Sequence, residues 1–190
     1  MPVVTVTLIE GYAPDVKRRL GERLTAAIRA VIDAPLEGVT VAIHETRADG
    51  YMRGGQQRVP GAPLPHPEDV VRDYLGAMET RHLDQAARFL AGDFEMVFPG
   101  GVRMRTPDDL AAWASTRYRT AAKDYEAFES LATEAGSVVY CRGTLRGAWL
   151  DGSAFAGIRF IDRFLVSGGL IRRQEVWNDL GEARAPSPGR

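Results

Sequence analysis

Three groups of residues in this chain have types and spacings that suit chemistry. The first is Pro2. Initiator methionine is commonly removed before a small residue, and loss of Met1 would leave a secondary amine at the amino terminus. A free α-amino group titrates at roughly 8 in water. Burial against apolar neighbours disfavours its charged form and brings it toward neutrality, where a general base works best. The second group is Arg47 and Arg53, which flank Tyr51. A guanidinium grips a carboxylate through two parallel hydrogen bonds, so either arginine suits a carboxylate clamp. His44 lies close by on a stretch of alternating residues. The third is Asp162, which alternates with Phe160 and Phe164 and so points its carboxyl to the same face as two phenyl rings. A buried carboxyl is costly unless it is paired or protonated. Tyr74, Tyr140, Arg142 and Asn178 are the partners expected for it. Arg159 and Arg163 fall on the opposite face. Trp113, Arg117 and Tyr118 recur at helical spacing, as a pocket lip or as cover for a sheet.

These groups need elements to position them. Val3 to Ile9 is rich in β-branched residues and reads as a strand. Pro14 suits the first position of a helix, and Asp15 follows it in the first turn. Val16, Leu20, Leu24, Ile28, Val31 and Ile32 form one apolar stripe, which predicts a helix to about Asp33, stopped by Ala34-Pro35. Val39, Val41 and Ile43 alternate with Thr40, Ala42 and His44 as a second strand. The order is β-α-β, and a right-handed crossover makes the strands parallel. So small a unit cannot bury much apolar surface alone, which predicts a homo-oligomer: dimer, trimer or hexamer.

Residues 56–66 carry three prolines and no apolar periodicity, and they read as a linker between a domain at 1–55 and another at 67–181. Val70, Val71, Tyr74, Leu75 and Met78 line a helix, Leu83 to Ala91 a second, and Thr106 caps a third with Asp108 and Asp109 in its first turn. Strands follow at about 124–133, 137–148, 154–166 and 170–179. Helices followed by a run of strands give an α+β class. The tail at 182–190 is polar, carries two prolines and is expected to be disordered.

Composition narrows the function. With 190 residues, 45% apolar and 26% charged, the chain is ordinary for a globular protein. A formal net charge of -1 gives no general pull toward nucleic acid or anionic membrane. One cysteine, Cys141, excludes an internal disulfide and a cysteine-based metal site, and it suits a small buried hydrophobe. No apolar run approaches the roughly 20 residues that span a bilayer, and no secretory signal is expected, so the cytoplasm is the default location. No metal or organic cofactor is expected, and the partner is a small molecule.

The run from Pro2 to Gly11, the helix with Lys17 and Leu24-Thr25, Asp33 to Leu36, Val39 to Glu45 and Gly54-Gly55 resembles the 4-oxalocrotonate tautomerase family over residues 2–55. The resemblance implies a β-α-β subunit that assembles into oligomers, with Pro2 shuttling the proton in enol–keto or double-bond isomerisation. Tyr51 matches an aromatic residue that lines the family's pocket. Tyr12 and Thr40 stand where the family prototype has arginines that hold the substrate carboxylate and polarise a carbonyl, which leaves Arg53 and Arg47 to supply a relocated clamp.

The stretch from Val70 to Asp84, then Phe89 to Phe94 and Phe98-Pro99-Gly100, resembles the nuclear-transport-factor-2-like superfamily, including SnoaL-type polyketide cyclases and ketosteroid isomerase. Ile161 to Phe164 and Gly169 to Asp179 fit it too. This implies a conical pocket under three helices on a curved antiparallel sheet. In ketosteroid isomerase an aspartate base works with an oxyanion hole made by a tyrosine and a protonated aspartic acid. Tyr74 and Asp162 match that hydrogen-bonding pair, while Phe98 falls where the catalytic aspartate stands. Tyr74, Phe98, Asp162, Tyr140, Asn178 and Trp113 are therefore expected around that pocket. The leading reading is a proline-dependent tautomerase, an isomerase, fused to a pocket-bearing domain. A second makes the larger domain the catalyst and the smaller one an oligomerisation module. A third makes both domains binders without chemistry.

Overall fold

A computed structural model describes residues 1–184. The chain forms two compact units, the first Met1–Pro63 and the second beginning at Leu64. The first unit holds strand β1 (Val3–Ile9), helix α1 (Pro14–Arg29) and strand β2 (Thr40–Thr46). β1 and β2 run parallel, with Val3 opposite Thr40 and Ile9 opposite Thr46. This register puts Val4, Val6, Leu8, Val41 and Ile43 on one face. Glu45 shares that face, and Lys17 of α1 reaches it at 2.7 Å, so α1 covers this side. The other face, with Val3, Thr5, Thr7, Thr40 and His44, is left exposed within the unit, and Val3 is 65% exposed. Gly38 is the one buried residue among those described in this unit.

Two expectations need correction here. The helix ends at Arg29, not near Asp33. Val31 and Ile32 continue its apolar stripe but are exposed, Val31 by 87%. Two adjacent β-branched residues favour helix weakly, and nothing within the unit covers them. The expected linker also begins too early. Gln56–Gln57 is strand β4, paired with β3 (Met52–Arg53) around Gly54 and Gly55, both at positive φ as a tight hairpin requires. Pro60 then packs over Gly11, leaving 3.2 Å between its Cγ and a Cβ placed at that glycine.

The second unit opens with α2 (Pro67–Glu79) and α3 (Leu83–Ala87). It continues through β5 (Leu90–Phe98), β6 (Val102–Met104) and α4 (Pro107–Ser115). Then come β7 (Tyr118–Thr133), β8 (Gly136–Trp149), β9 (Ala154–Ser167), β10 (Leu170–Asn178) and α5 (Leu180–Arg184). A six-stranded sheet runs in the order β6-β5-β10-β9-β8-β7. Val71, Tyr74 and Leu75 of α2 join Phe94, Met96, Val139, Phe160 and Phe164 of the sheet in one core. Thr106 caps α4 through a reciprocal pair of hydrogen bonds with Asp109.

The sheet departs from the expected pattern in two ways. The helix expected over Leu83 to Ala91 ends at Ala87, and β5 begins at Leu90. Phe94 and Met96 alternate into the core, which rewards a strand more than a helix does. β5 also pairs parallel with β10, so the sheet is mixed, and its remaining pairings are antiparallel. The expected disordered tail begins inside α5, since Glu182 to Arg184 are helical, and its remainder lies outside the described residues.

The long strands curve at bulges in β7 and β8. Gly143 lies against the carbonyl oxygen of Asp124 there, with no room for a Cβ. Gly143→Ala is expected to lower stability by about 2 kcal/mol. Gly76→Ala, on an open position of α2, should raise it by about 1 kcal/mol. Denaturant titration of the two variants reads both signs.

Candidate functional site

Pro2 stands immediately before β1, and its carbonyl oxygen accepts a hydrogen bond from Thr40 N–H at 3.0 Å. That bond fixes the start of the chain against the start of β2. Pro2 is half-buried, while Met1 beyond it is 92% exposed. Removal of Met1 would uncover the Pro2 nitrogen without opening the core.

The other residues expected at this site divide between the two ends of the strand pair. Thr40 lies at the Pro2 end. Tyr12 follows the far end of β1, and Arg47, Tyr51 and Arg53 follow the far end of β2. Seven strand residues extend about 20 Å, so one chain does not bring Pro2 and these side chains together. His44 lies between, opposite Thr7 on the exposed face. Arg47 already binds Asp49 through Nε at 3.2 Å and Nη2 at 3.0 Å. Arg53 is exposed and makes no ion pair among the described residues.

The second unit builds a more enclosed site. A cavity of about 140 Å³ opens between α2, α4 and β7, with Tyr74, Phe98, Lys123, Tyr125 and Gln174 in its wall. Asp162 lies behind that wall and is fully buried, on the same face as Phe160 and Phe164 as its alternation predicts. Its Oδ2 accepts from Lys123 Nζ and from Gln174 Nε2 at 3.3 Å. The Tyr74 hydroxyl donates to Gln174 Oε1 at 3.2 Å. Asp162 Oδ1 has no partner among the described residues. Lys123 Nζ also sits 4.5 Å from the centre of the Phe160 ring. Burial, then the charge of Asp162, pushes the Tyr74 hydroxyl well above its ordinary range. Burial does the same for Tyr125, so both phenols stay neutral. Cys141, opposite Asp162 on β8, is fully buried, and desolvation pushes its thiol up to about 12.

Several expected neighbours lie elsewhere. Tyr140 and Arg142 alternate with Val139 and Cys141 and so point to the outer face of β8, where Arg142 meets Glu126 at 2.6 Å. Asn178 ends β10 and accepts from Leu180 N–H at 3.2 Å. Trp113 stands behind the cavity wall, edge-on to Phe98 at 5.2 Å, and Arg117 stacks over it. Arg159 and Arg163 pair with Asp179 and Glu175 on the outer face. Lys123 and Gln174 are two site residues that the sequence patterns did not single out. A signal existed for Lys123: it sits two residues before Tyr125 on the same strand face, and a buried carboxylate demands a cation. Among the described residues no cluster of three or more histidine, cysteine or acidic side chains suits a metal ion.

Comparison with known proteins separates the two units. A family model described as tautomerase enzyme matches residues 2–58. A probable tautomerase from Bacillus cereus is 39% identical over 57 residues, which is 30% of this chain and 93% of that protein. A 2-hydroxymuconate tautomerase from Bacillus subtilis is likewise 39% identical over 57 residues, 30% of this chain and 92% of its own length. Among solved structures, an NTF2-like protein from Burkholderia thailandensis matches with a TM-score of 0.53 at 20% identity, over 65% of this chain and 100% of its own. An NTF2-like protein of unknown function from Burkholderia pseudomallei gives a TM-score of 0.52 at 20% identity, over 61% and 92%. Those structures share the fold of the second unit, a large curved sheet with helices packed on it.

The buried pair makes a sharp energetic prediction. Lys123→Met leaves a buried carboxylate without a cation and is expected to cost about 3–5 kcal/mol. Adding Asp162→Asn should recover most of that loss, as a double-mutant cycle by urea denaturation would read. The Cys141 thiol should resist a disulfide reagent in the native protein at pH 8, where it is un-ionised, and react fully once the protein is unfolded.

Proposed function

Through residues 2–58 the chain belongs to the tautomerase family, and from that membership we propose that Pro2, freed by removal of Met1, is the general base of an enol–keto or double-bond isomerase. The observation that carries the reading is the setting of Pro2. Its carbonyl is held by Thr40, and only an exposed methionine covers its nitrogen. A neutral secondary amine there takes a proton from an enol hydroxyl or from a carbon next to a carbonyl, then returns it elsewhere on the same substrate. The substrate is a small carbonyl or carboxylate compound.

The clamp for that substrate comes from a second copy of the chain. Parallel strands hold Arg53 and Tyr51 at the end away from Pro2, so a complete site needs the far end of a neighbouring subunit. The open sheet face with Val3, Thr5 and Thr7 supports such assembly. Arg53, which makes no ion pair among the described residues, is the guanidinium available to a carboxylate. Tyr12 and Thr40 leave no arginine at the family prototype's positions, so the preferred substrate differs from the prototype's dicarboxylate.

A second reading is favoured by one observation, the polar network at the wall of the second unit's cavity. In it the larger unit carries chemistry or ligand binding of its own, and the first unit serves assembly. Phe98 lines that cavity, and by the sequence resemblance it stands where ketosteroid isomerase has its base, so that reading does not include steroid-isomerase chemistry.

Ketonisation of phenylenolpyruvate, followed by ultraviolet absorbance, tests the proposal. Pro2→Ala is expected to lower kcat/KM by about 100-fold or more. Wild-type activity should fall as pH drops through the amine pKa, because the protonated amine accepts no proton. Arg53→Ala should raise KM more than it lowers kcat. Intact mass should lack Met1. Full activity in Pro2→Ala would overturn the assignment.

A further inference from the structure

We propose that the second unit's cavity binds a neutral, planar, single-ring carbonyl compound, with the carbonyl oxygen on Lys123 Nζ and the Tyr125 hydroxyl. The inference is independent of the role given to Pro2. It rests on size, on hydrogen-bonding capacity and on charge.

Size comes first. A cavity of about 140 Å³ is close to the roughly 150 Å³ of an engineered apolar cavity that takes up benzene. Leu75, Met78, Phe98, Leu110 and Leu145 line it and offer an apolar bed for one ring. A fused multi-ring ligand would exceed it.

Hydrogen bonding decides the functional group. Gln174 is committed at both ends, accepting from Tyr74 and donating to Asp162. The Tyr74 hydroxyl is committed to Gln174. Apart from Glu79, the polar groups left at the wall can donate. Lys123 is an ammonium with three N–H bonds, of which Asp162 takes one. Tyr125 makes no hydrogen bond among the described residues, and its hydroxyl stays protonated. Where the ammonium and the phenol stand together, they select an acceptor, and a carbonyl oxygen is one.

Charge then excludes an anion. Lys123 and Arg81 line the cavity together with Glu79, and Asp162 lies behind Lys123. Two positive groups face two negative ones, so the site is already balanced. A carboxylate brought into it would be desolvated against no net positive charge. A carbonyl brings no net charge, and the ammonium polarises it. Asp162 acts through Lys123 as a positioning residue, fixing the ammonium at the cavity wall. It meets both Lys123 and Gln174 through Oδ2 and does not itself line the cavity, so it is not the group that meets a ligand.

The test uses the full chain and acetophenone labelled with carbon-13 at its carbonyl, observed by NMR. Saturable binding with a downfield shift of the carbonyl resonance is expected. Ethylbenzene, which lacks the acceptor, and benzoate, which is anionic, should each bind at least ten-fold more weakly. In the chain carrying both Lys123→Met and Asp162→Asn, which keeps the core neutral, the downfield shift should disappear and affinity fall about ten-fold or more. Ala111→Leu, which fills the cavity and leaves the ion pair untouched, should abolish binding. Pro2→Ala should leave acetophenone binding unaltered while it lowers ketonisation. No saturable binding, tighter binding of benzoate, a shift that survives loss of Lys123, or loss of binding in Pro2→Ala would each overturn the proposal.

Discussion

Parallel strands put like ends together, and in the first unit this decides which residues can meet Pro2. Val3 lies against Thr40 and Ile9 against Thr46. The segments that leave the far end of either strand are therefore carried away from the amino terminus. Tyr12, Arg47, Tyr51 and Arg53 all follow a strand. The same register sorts the side chains by face: the apolar members turn to α1, and Val3 and the threonines turn outward. One pairing thus leaves the unit short of a core and short of a complete site. In the proposed assembly both deficits have the same remedy, another subunit laid on the open face. A unit this small would then gain its missing buried surface and its missing substrate contacts in a single association.

The second unit solves the opposite problem. Its long strands and covering helices enclose a continuous core, and into that core the sequence places a carboxyl group. Asp162 is tolerated because Lys123 and Gln174 reach the same oxygen. A buried ion pair contributes little net stability compared with apolar residues of the same shape. Its location at the wall of a cavity gives it another use: it holds a cation where apolar packing alone would hold a methyl group. The raised phenols of Tyr74 and Tyr125 follow from the same burial. Proximity to Asp162 raises them further, so both phenols stay neutral over the physiological range.

Much of this was legible in the sequence, because alternation and helical spacing report which face is buried. The strands of the first unit, the parallel crossover, the face of Asp162 and the outward Arg159 and Arg163 all follow from such patterns. What the patterns do not carry is pairing. Nothing local in Leu83 to Ala91 says that a strand will begin at Leu90, because the reward for that strand is a parallel ladder with β10, far away in sequence. Tyr140 suits Asp162 by chemistry, yet its register with Glu129 and Arg163 turns it outward. Lys123 and Gln174 lie on different strands from Asp162, so their meeting depends on strand order, which periodicity does not encode. Val31 and Ile32 fail for a related reason: an apolar stripe predicts a helix only as far as something covers it.

The two sites therefore differ in what must be preserved for each to work. In the role proposed for Pro2 the reactive group is the backbone terminus itself, and the first strand has only to hold it in place. Under the proposed assembly, substitutions at positions such as Thr5 or Thr7 would act on it through the subunit contact. At Lys123 the proposed ligand-binding group is a side chain whose position depends on three strands and their register. β7 carries the cation, β9 its counter-ion and β10 the amide that ties the carboxylate to α2. A shift of one residue in any of those strands would turn one of these polar groups to the outer face. The bulges of β7 and the close-packed glycines of β8 lie along the same ladder. The geometry of the second site is thus built into the sheet, whereas that proposed for the first depends on a neighbouring subunit.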